Sequence, residues 1–283
     1  MDDPKLYSTS SCLQTAANIY VINNYFNLIR WKNGDDNETV LDVGCGEGFT
    51  TTEILLPKLP KSVSKLEATD MNEKMIKVAK KKYKNTKRIE FFKLDINDRD
   101  TCDQFSCKFD HIFSFFCFHW IHDQRKAFKN IYTLLKPGGD FLLSLIGSSL
   151  IYDMYENLSK YKEWSKYFKK EMISPYHRCN DVKEIIEQLL KDTGFDDYLC
   201  VVKENHYTYN DWRTLKRAVI SVNPVLPQLP ISERSRYIED INKELENICA
   251  SIEKCSRYNN NNNEEVLLVP YELIVVYGRK PQN

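Results

Sequence analysis

Two periods of apolar residues divide this chain. Helical spacing comes first: Leu13, Ala17, Tyr20 and Tyr25 fall on one face of a helix expected over residues 11–30, capped at Ser11. A polar, turn-like stretch from Gly34 to Glu38 precedes the short buried strand Thr39-Val40-Leu41-Asp42-Val43. A helix from about Thr50 to Leu56, stopped by Pro57, comes next. Further strands are expected over Ser64–Thr69, Arg88–Leu94, the almost continuously apolar Phe109–Phe115, and Phe141–Ile146. Between them lie a helix capped by Asn72, with Met75, Ile76, Ala79 and Tyr83 inward, and one capped by Asp123, with Ala127, Phe128, Ile131, Leu134 and Leu135 inward. Pro137-Gly138-Gly139 is expected to end the latter. Val182, Ile185, Ile186, Leu189 and Leu190 form a further helical face closed by Gly194, and two late strands are expected near Leu199–Tyr209 and Pro270–Tyr277.

Strand–helix alternation from 38 to 147 predicts an α/β fold, Rossmann-like, whose mostly parallel sheet carries helices on both faces. Seven strands are expected in all, with the two late ones forming an antiparallel pair at the sheet edge. Residues 149–178 and 208–258, rich in Tyr and Trp, do not fit the alternation and read as helical insertions in a single domain spanning 1–283. Asn259 to Asn263 reads as a solvated loop.

Composition narrows the function. Lys+Arg and Asp+Glu both count 40, so no global field favours nucleic acid or an acidic membrane; the lysines dense between Lys58 and Lys93 read as a solvated helix face with flanking loops. The polar first eleven residues lack a signal-like apolar region, and no apolar run reaches the length of a membrane span, so a cytoplasmic chain without membrane insertion is expected, monomeric or homodimeric. Nine cysteines without a Cys-x-x-Cys pair imply free thiols. His119 and His122 are three apart, but no further residue with ligand spacing lies nearby, so no metal is expected.

The most informative run is Asp42-Val43-Gly44-Cys45-Gly46-Glu47-Gly48, set between a strand and a helix. Glycines there permit a tight turn and close approach of a ligand to the backbone. Asp70 ends the next strand, followed by Met71, and a carboxylate at that place accepts both hydroxyls of a ribose. A nicotinamide site would show Gly-x-Gly-x-x-Gly; here the spacing is Gly-x-Gly-x-Gly with Phe49 in the third-glycine place. Asp42 before the turn suits an ammonium better than a phosphate. Asp95 could reach an adenine amino group, with Ile96 against its ring, and Ser114 and Phe115 close the fourth strand beside them. Together with Leu135-Lys136-Pro137-Gly138-Gly139, these residues resemble the class I S-adenosylmethionine-dependent methyltransferase superfamily over about residues 38–147. That resemblance implies S-adenosyl-L-methionine as cofactor, held by Asp42, Gly44, Cys45, Gly46, Asp70, Met71, Asp95, Ile96, Ser114 and Phe115.

The acceptor is not given by that fold. After the fourth strand stands Phe113-Ser114-Phe115-Phe116-Cys117-Phe118-His119-Trp120, without the Asn/Asp-Pro-Pro-Tyr pattern of amide N-methyltransferases, and its aromatic density suggests a hydrophobic acceptor. This run, with Asp123-Gln124 and Ala127-Phe128, is similar to the juvenile hormone acid O-methyltransferase family of insects. Tyr7, Leu13-Gln14, Ile173-Ser174-Pro175-Tyr176-His177, Asn223-Pro224 and Tyr277-Gly278-Arg279-Lys280 extend the likeness over nearly the whole chain. Val225 departs from it, where an aromatic residue is expected in relatives. The resemblance implies a sesquiterpenoid acid as partner, with Gln14 and Trp120 holding its carboxylate and His119 lining the site. Ser11-x-x-Gln14 is also a capping box, which would occupy Gln14 locally. The insertions would then supply an apolar lid with Tyr161, Trp164, Phe168, Tyr176, Trp212 and Val219 as candidate wall residues. Three other readings stay open here: methylation of another hydrophobic carboxylic acid such as a fatty acid, methylation of a nucleic-acid base or a protein, and a non-catalytic hormone or cofactor carrier.

Overall fold

The structure, a computed structural model, describes residues 3–32, 37–251, 257–259 and 265–282. Eight strands are found among them: β1 (Glu38–Val43), β2 (Val63–Asp70), β3 (Ile89–Lys93), β4 (Phe109–Phe115), β5 (Leu135–Ser149), β6 (Asp197–Tyr209), β7 (Arg257–Asn259) and β8 (Glu265–Arg279). The helices are α1 (Pro4–Ser8), α2 (Cys12–Tyr25), α3 (Glu73–Lys82), α4 (Arg99–Asp103), α5 (Gln124–Leu134), α6 (Leu150–Leu158), α7 (Val182–Thr193), α8 (Trp212–Ser221) and α9 (Ile231–Ser251). The sheet order is β3-β2-β1-β4-β5-β8-β6, with β7 paired antiparallel to β8. β1, β2, β3, β4 and β5 pair in parallel, and the central, largely apolar β4 is buried at every position.

The chain forms two compact units. One contains Gln14–Leu145, Asn180–Val202 and Ile274–Asn283; the other contains Met1–Leu13, Ile146–Cys179 and Lys203–Leu273. The first holds the parallel strands and every residue named above for the cofactor and the acceptor carboxylate. The second holds most of the two insertions.

Several expectations are corrected. The expected seven strands form the sheet path, and the short β7 is an addition paired with β8 off that path. α5 ends at Leu134, not at Pro137: Leu135 is already extended and pairs with Phe109, and the register then shifts so that His111 meets Asp140. The apolar pair Leu134-Leu135 continues helical spacing, so periodicity hides the exit. The segment 149–178 is one helix, α6, followed by two single turns at Ser165–Tyr167 and Lys170–Met172, and 208–258 begins in β6 and ends in β7. α1 was not expected, although Asp3 caps it, accepting from the amides of Lys5 and Leu6 at 3.0 Å each. Gly34 to Asp36, Cys255 and Asn260 to Asn263 lie outside the described residues.

A buried ionic clamp joins the amino-terminal halves of three adjacent strands. His111 of β4 lies with Nδ1 2.6 Å from Asp140 of β5 and Nε2 2.9 Å from Glu38 of β1. Trp31 lies against the imidazole, ring centres 4.3 Å apart. Burial opposes the charged imidazole, but Asp140 and Glu38 outweigh it and hold the His111 pKa above its ordinary value. A raised folded pKa makes this contribution complete below about pH 6.5 and lost as pH rises through the folded value. Substituting His111→Leu leaves two buried carboxylates without their partner and is expected to cost about 3–5 kcal/mol. Denaturant unfolding across pH 5 to 9 checks this: the difference between wild type and variant should shrink at the alkaline end. A difference that grows with pH would reject the clamp as drawn.

Candidate active site

The site begins where β1 ends. Gly44 has φ +80°, and a Cβ there would lie 2.4 Å from both Cβ and Sγ of Cys117, so only glycine fits between the turn and the chain leaving β4. Gly48, the glycine whose position separates this turn from the nicotinamide spacing, has φ +86° and packs beneath Phe91. The amides of Gly44 and Cys45 both donate to the carbonyl of Thr69, at 2.7 and 2.8 Å, which ties the turn to β2. The next segment, Thr50–Leu55, is wound wider than an α-helix, with the Leu56 amide donating to the Thr51 carbonyl. Such wide turns recur at functional sites because they re-aim side chains.

Asp70 organises this turn. Its Oδ2 accepts from the Gly46 amide at 2.9 Å and its Oδ1 from the Asn72 amide at 2.7 Å. Burial raises its pKa, and these two bonds pull the other way. Met71 follows it, 64% exposed, a large apolar side chain open to a ligand. At the end of β3, Asp95 accepts from the Asn97 amide at 2.9 Å, and Ile96 is buried with its carbonyl accepting from Asn130. Ser114 is fully buried and its hydroxyl donates to the Val43 carbonyl at 2.7 Å, so the side chain joins β4 to β1. Phe115 is buried, its ring 6.0 Å from that of Phe113. Phe116 then takes φ +55°, a costly backbone for an aromatic residue, where the chain turns toward His119 and Trp120.

Buried polar atoms without partners show what the site lacks. Asp42 is 1% exposed; its Oδ2 accepts from the Thr51 hydroxyl at 2.5 Å, while Oδ1 has no partner. Asn18 Oδ1 and Asn97 Oδ1 are likewise buried without partners. All three are acceptors. A phosphate would add more acceptors, whereas an ammonium and an adenine amino group bring donors. S-adenosyl-L-methionine carries both donors and no phosphate, so the residues present fit it. The orphaned Gln14 Oε1 also removes the capping-box reading, which requires that oxygen to accept from the Ser11 amide.

Thr51 and Asn18 were not anticipated. Asn18, one helical turn beyond Gln14 on α2, is 3% exposed and its Nδ2 donates to the Thr50 hydroxyl at 3.0 Å. The only signal in the sequence was the i, i+4 spacing of two amides, which reads equally as a solvated stripe.

Burial pushes the Asp42 pKa up to about 7; the Thr51 hydrogen bond opposes this and the Asp70 charge adds to it. An arriving ammonium favours the ionised form. Cofactor affinity is therefore expected to fall as pH drops below about 7 and to level off above it, and Asp42→Asn should flatten the profile. Calorimetric titration from pH 5.5 to 8.5 measures it; a wild-type profile as flat as the variant's would remove Asp42 from the ammonium site.

Burial holds three further titratable groups in their neutral forms. Burial pushes His119 down to about 3, so its imidazole is neutral at neutral pH. Burial pushes the Cys117 thiol up to about 12 and that of Cys45 well above its ordinary value, which rules out either as a resting thiolate nucleophile. Trp120 is half-buried with its ring 5.1 Å from that of His119.

Among the described residues, the one metal-type grouping is Asp153, Glu156 and His177, in the other unit. There the Arg178 guanidinium bridges both carboxylates and supplies the counter-charge. In the same unit Trp164 donates from Nε1 to Asp240 at 2.7 Å and Tyr161 donates to Glu244 at 2.5 Å, so both are anchored on α9. Tyr176 and Val219 are buried, while Phe168 and Trp212 are half-buried.

Comparison with known proteins matches this geometry. The methyltransferase domain family matches residues 34–211. Juvenile hormone acid O-methyltransferase of Bombyx mori is 34% identical over 99% of this chain and 98% of its own length. That of Drosophila melanogaster is 31% identical over 99% of this chain and 93% of its own. The chain belongs to the juvenile hormone acid O-methyltransferase family. Among solved structures, the YcgJ protein of Bacillus subtilis superposes with a TM-score of 0.57 at 15% identity, covering 96% of this chain and 99% of its own, a likeness of fold alone. For a juvenile hormone acid O-methyltransferase family member, S-adenosyl-L-methionine is the cofactor, and the donor-hungry turn between β1 and the wide helix is where this chain's residues suit it. The chain is accordingly a methyltransferase.

Proposed function

We propose that this chain methylates the carboxylate of a sesquiterpenoid acid, farnesoic acid or juvenile hormone acid, to its methyl ester. The observation that carries the reading is that His119 and Cys117, at the aromatic turn after β4, are both poor bases: His119 is held neutral with a pKa of about 3 and Cys117 is held as the thiol. A hydroxyl or amine acceptor would need its proton removed. A carboxylic acid has a pKa of about 4–5 and arrives ionised at neutral pH.

When bound, the cofactor supplies a methyl group made electrophilic by its sulfonium. The chain's own residues hold, orient and desolvate. Asp42, Asn18 and the Gly44–Gly46 turn hold the methionyl end, Asp70 the ribose, and Asp95 with Ile96 the adenine. Met71 and Phe115 add apolar surface, and Cys45 and Ser114 keep the turn and β4 in place. Trp120 donates its indole N–H to the acceptor carboxylate. Gln14 donates its amide N–H; turning that amide over exchanges Oε1 for Nε2 at the same place. Neutral donors orient the anion without drawing off the charge the reaction uses, as a buried arginine would. Phe116 and His119 exclude water, which raises the nucleophilicity of the carboxylate. Burying about ten hydrocarbon carbons of the acceptor supplies about 8 kcal/mol before ordering costs, enough for micromolar recognition without a charged anchor. We place the enzyme in the cytoplasm. No helix among the described residues is long and apolar enough to cross a membrane.

The test is methyl transfer from labelled S-adenosyl-L-methionine to farnesoic acid, with lauric acid and bulk RNA as parallel acceptors. Base-labile ester formed with farnesoic acid far above lauric acid supports the proposal. Equal ester from both acids widens the acceptor to hydrophobic acids at large, and label in RNA overturns it.

A further inference from the structure

A charge asymmetry surrounds α3 that the methyl-transfer site does not use. Between Asn72 and Lys93 stand eight lysines and Arg88 against two acids, Glu73 and Glu90, in a chain whose basic and acidic totals are equal at 40 each. The helix sorts them. Met75, Ile76 and Ala79 are buried on one face. Lys74, Lys77 and Lys81 follow i, i+3, i+7 on the opposite face, with Lys80 beside them and Lys84 just past the helix end, all exposed. Glu73 pairs with Lys77, and Glu47 with Lys82. Lys80, Lys81, Lys84 and Lys87 have no ion pair among the described residues. Arg88 spends its guanidinium on the carbonyls of Val63 and Pro60, which leaves its charge uncompensated.

Three lysines in the last turn suit the helix dipole, which accounts for their presence at that end. It does not account for Lys74 in the first turn, nor for Lys84 and Lys87 beyond the helix. The flank of the lysine face is apolar: Val78 is 38% exposed, and Phe49 is 37% exposed with Lys82 Nζ 5.3 Å from its ring centre. Lys82 and Val78 are i, i+4 neighbours, so the basic face and this apolar rim are continuous. A basic helix face edged by exposed apolar side chains is the chemistry of an anionic lipid surface, where lysines meet headgroups and the rim enters the interface. Single-stranded nucleic acid would call for a row of stacking rings, and this face offers one ring, already covered by Lys82.

We propose that the α3 face, from Lys74 to Lys87 with Val78 and Phe49 at its rim, docks the enzyme reversibly on anionic membrane surfaces. This is peripheral binding and stands whether or not the acceptor is a terpenoid.

Sedimentation of the full chain with vesicles tests it. Binding to phosphatidylserine-containing vesicles should exceed binding to pure phosphatidylcholine by about tenfold or more and disappear at about 0.5 M salt. The variant Lys80→Gln/Lys81→Gln/Lys84→Gln should lose about tenfold or more of that binding, with thermal unfolding and methyl transfer in solution unchanged. The same three positions changed to arginine should retain it. No sedimentation with either vesicle, equal sedimentation with both, or preference for added RNA over anionic vesicles would each overturn the proposal.

Discussion

Replacing Asp70 by alanine is expected to weaken S-adenosyl-L-methionine binding about a hundredfold. Two effects combine. The carboxylate proposed to accept the ribose hydroxyls is gone, and each such bond to a charged acceptor is worth about 1.5–3 kcal/mol. The Gly46 and Asn72 amides also lose their common acceptor, so the turn that carries Gly44 loses one of its ties to β2. Thr69 still accepts from Gly44 and Cys45, which is why the turn should persist and the variant should fold. Calorimetric titration of the cofactor checks this, alongside a melting curve. A dissociation constant within about threefold of wild type would show that Asp70 only shapes the turn. The acceptor acid's own affinity should change little, since none of its proposed partners touches Asp70.

Trp120→Phe is the second large effect. The change keeps an aromatic ring beside His119 and removes only the indole N–H. If that N–H orients the carboxylate, kcat/KM for farnesoic acid falls about 10- to 100-fold, while cofactor binding stays at its wild-type value. Gln14→Leu should act in the same direction, and the double variant should lose less than the sum, because both donors serve one anion. Unchanged turnover in Trp120→Phe removes Trp120 from the acceptor site and leaves it as packing. Reduced cofactor affinity instead would place the indole at the methionyl end.

These two residues differ in how visible they were. Asp70 was legible because an acid ends the strand that follows the glycine turn, at a set distance from it, and its place follows from the parallel sheet. Trp120 was named on resemblance, since nothing in the pattern after β4 separates a core tryptophan from a ligand-facing one. The parallel pairing of β1 to β5 was equally open to reading, because strands and helices alternate from 38 to 147. The exit of α5 at Leu134 was not, because pairing of Leu135 with Phe109 decides it, across some 25 residues of chain, where local spacing is indifferent. Unpartnered acceptors lie beyond any sequence pattern. Asn18 is an ordinary helix residue until its oxygen is found buried without a donor. Ser114 shows the reverse: named for the cofactor, its hydroxyl is committed to the Val43 carbonyl, and what it contributes is the position of the strand end.

The clamp of Glu38, His111 and Asp140 also bears on how such a protein can change. Asp110 beside it accepts from Thr39 and pairs with Lys32 and Lys136, so the same ends of β1, β4 and β5 are fastened twice. The residues proposed for acceptor and cofactor after β1 and β4 follow the opposite ends of those strands. Loops there can be lengthened, shortened or exchanged without disturbing the fastening. Amide hydrogen exchange would report this as a gradient along each strand, slowest near Val40 and Ile112 and faster toward Val43 and Phe115. A scaffold secured at one end in this way lets a lineage alter its substrate while keeping its fold.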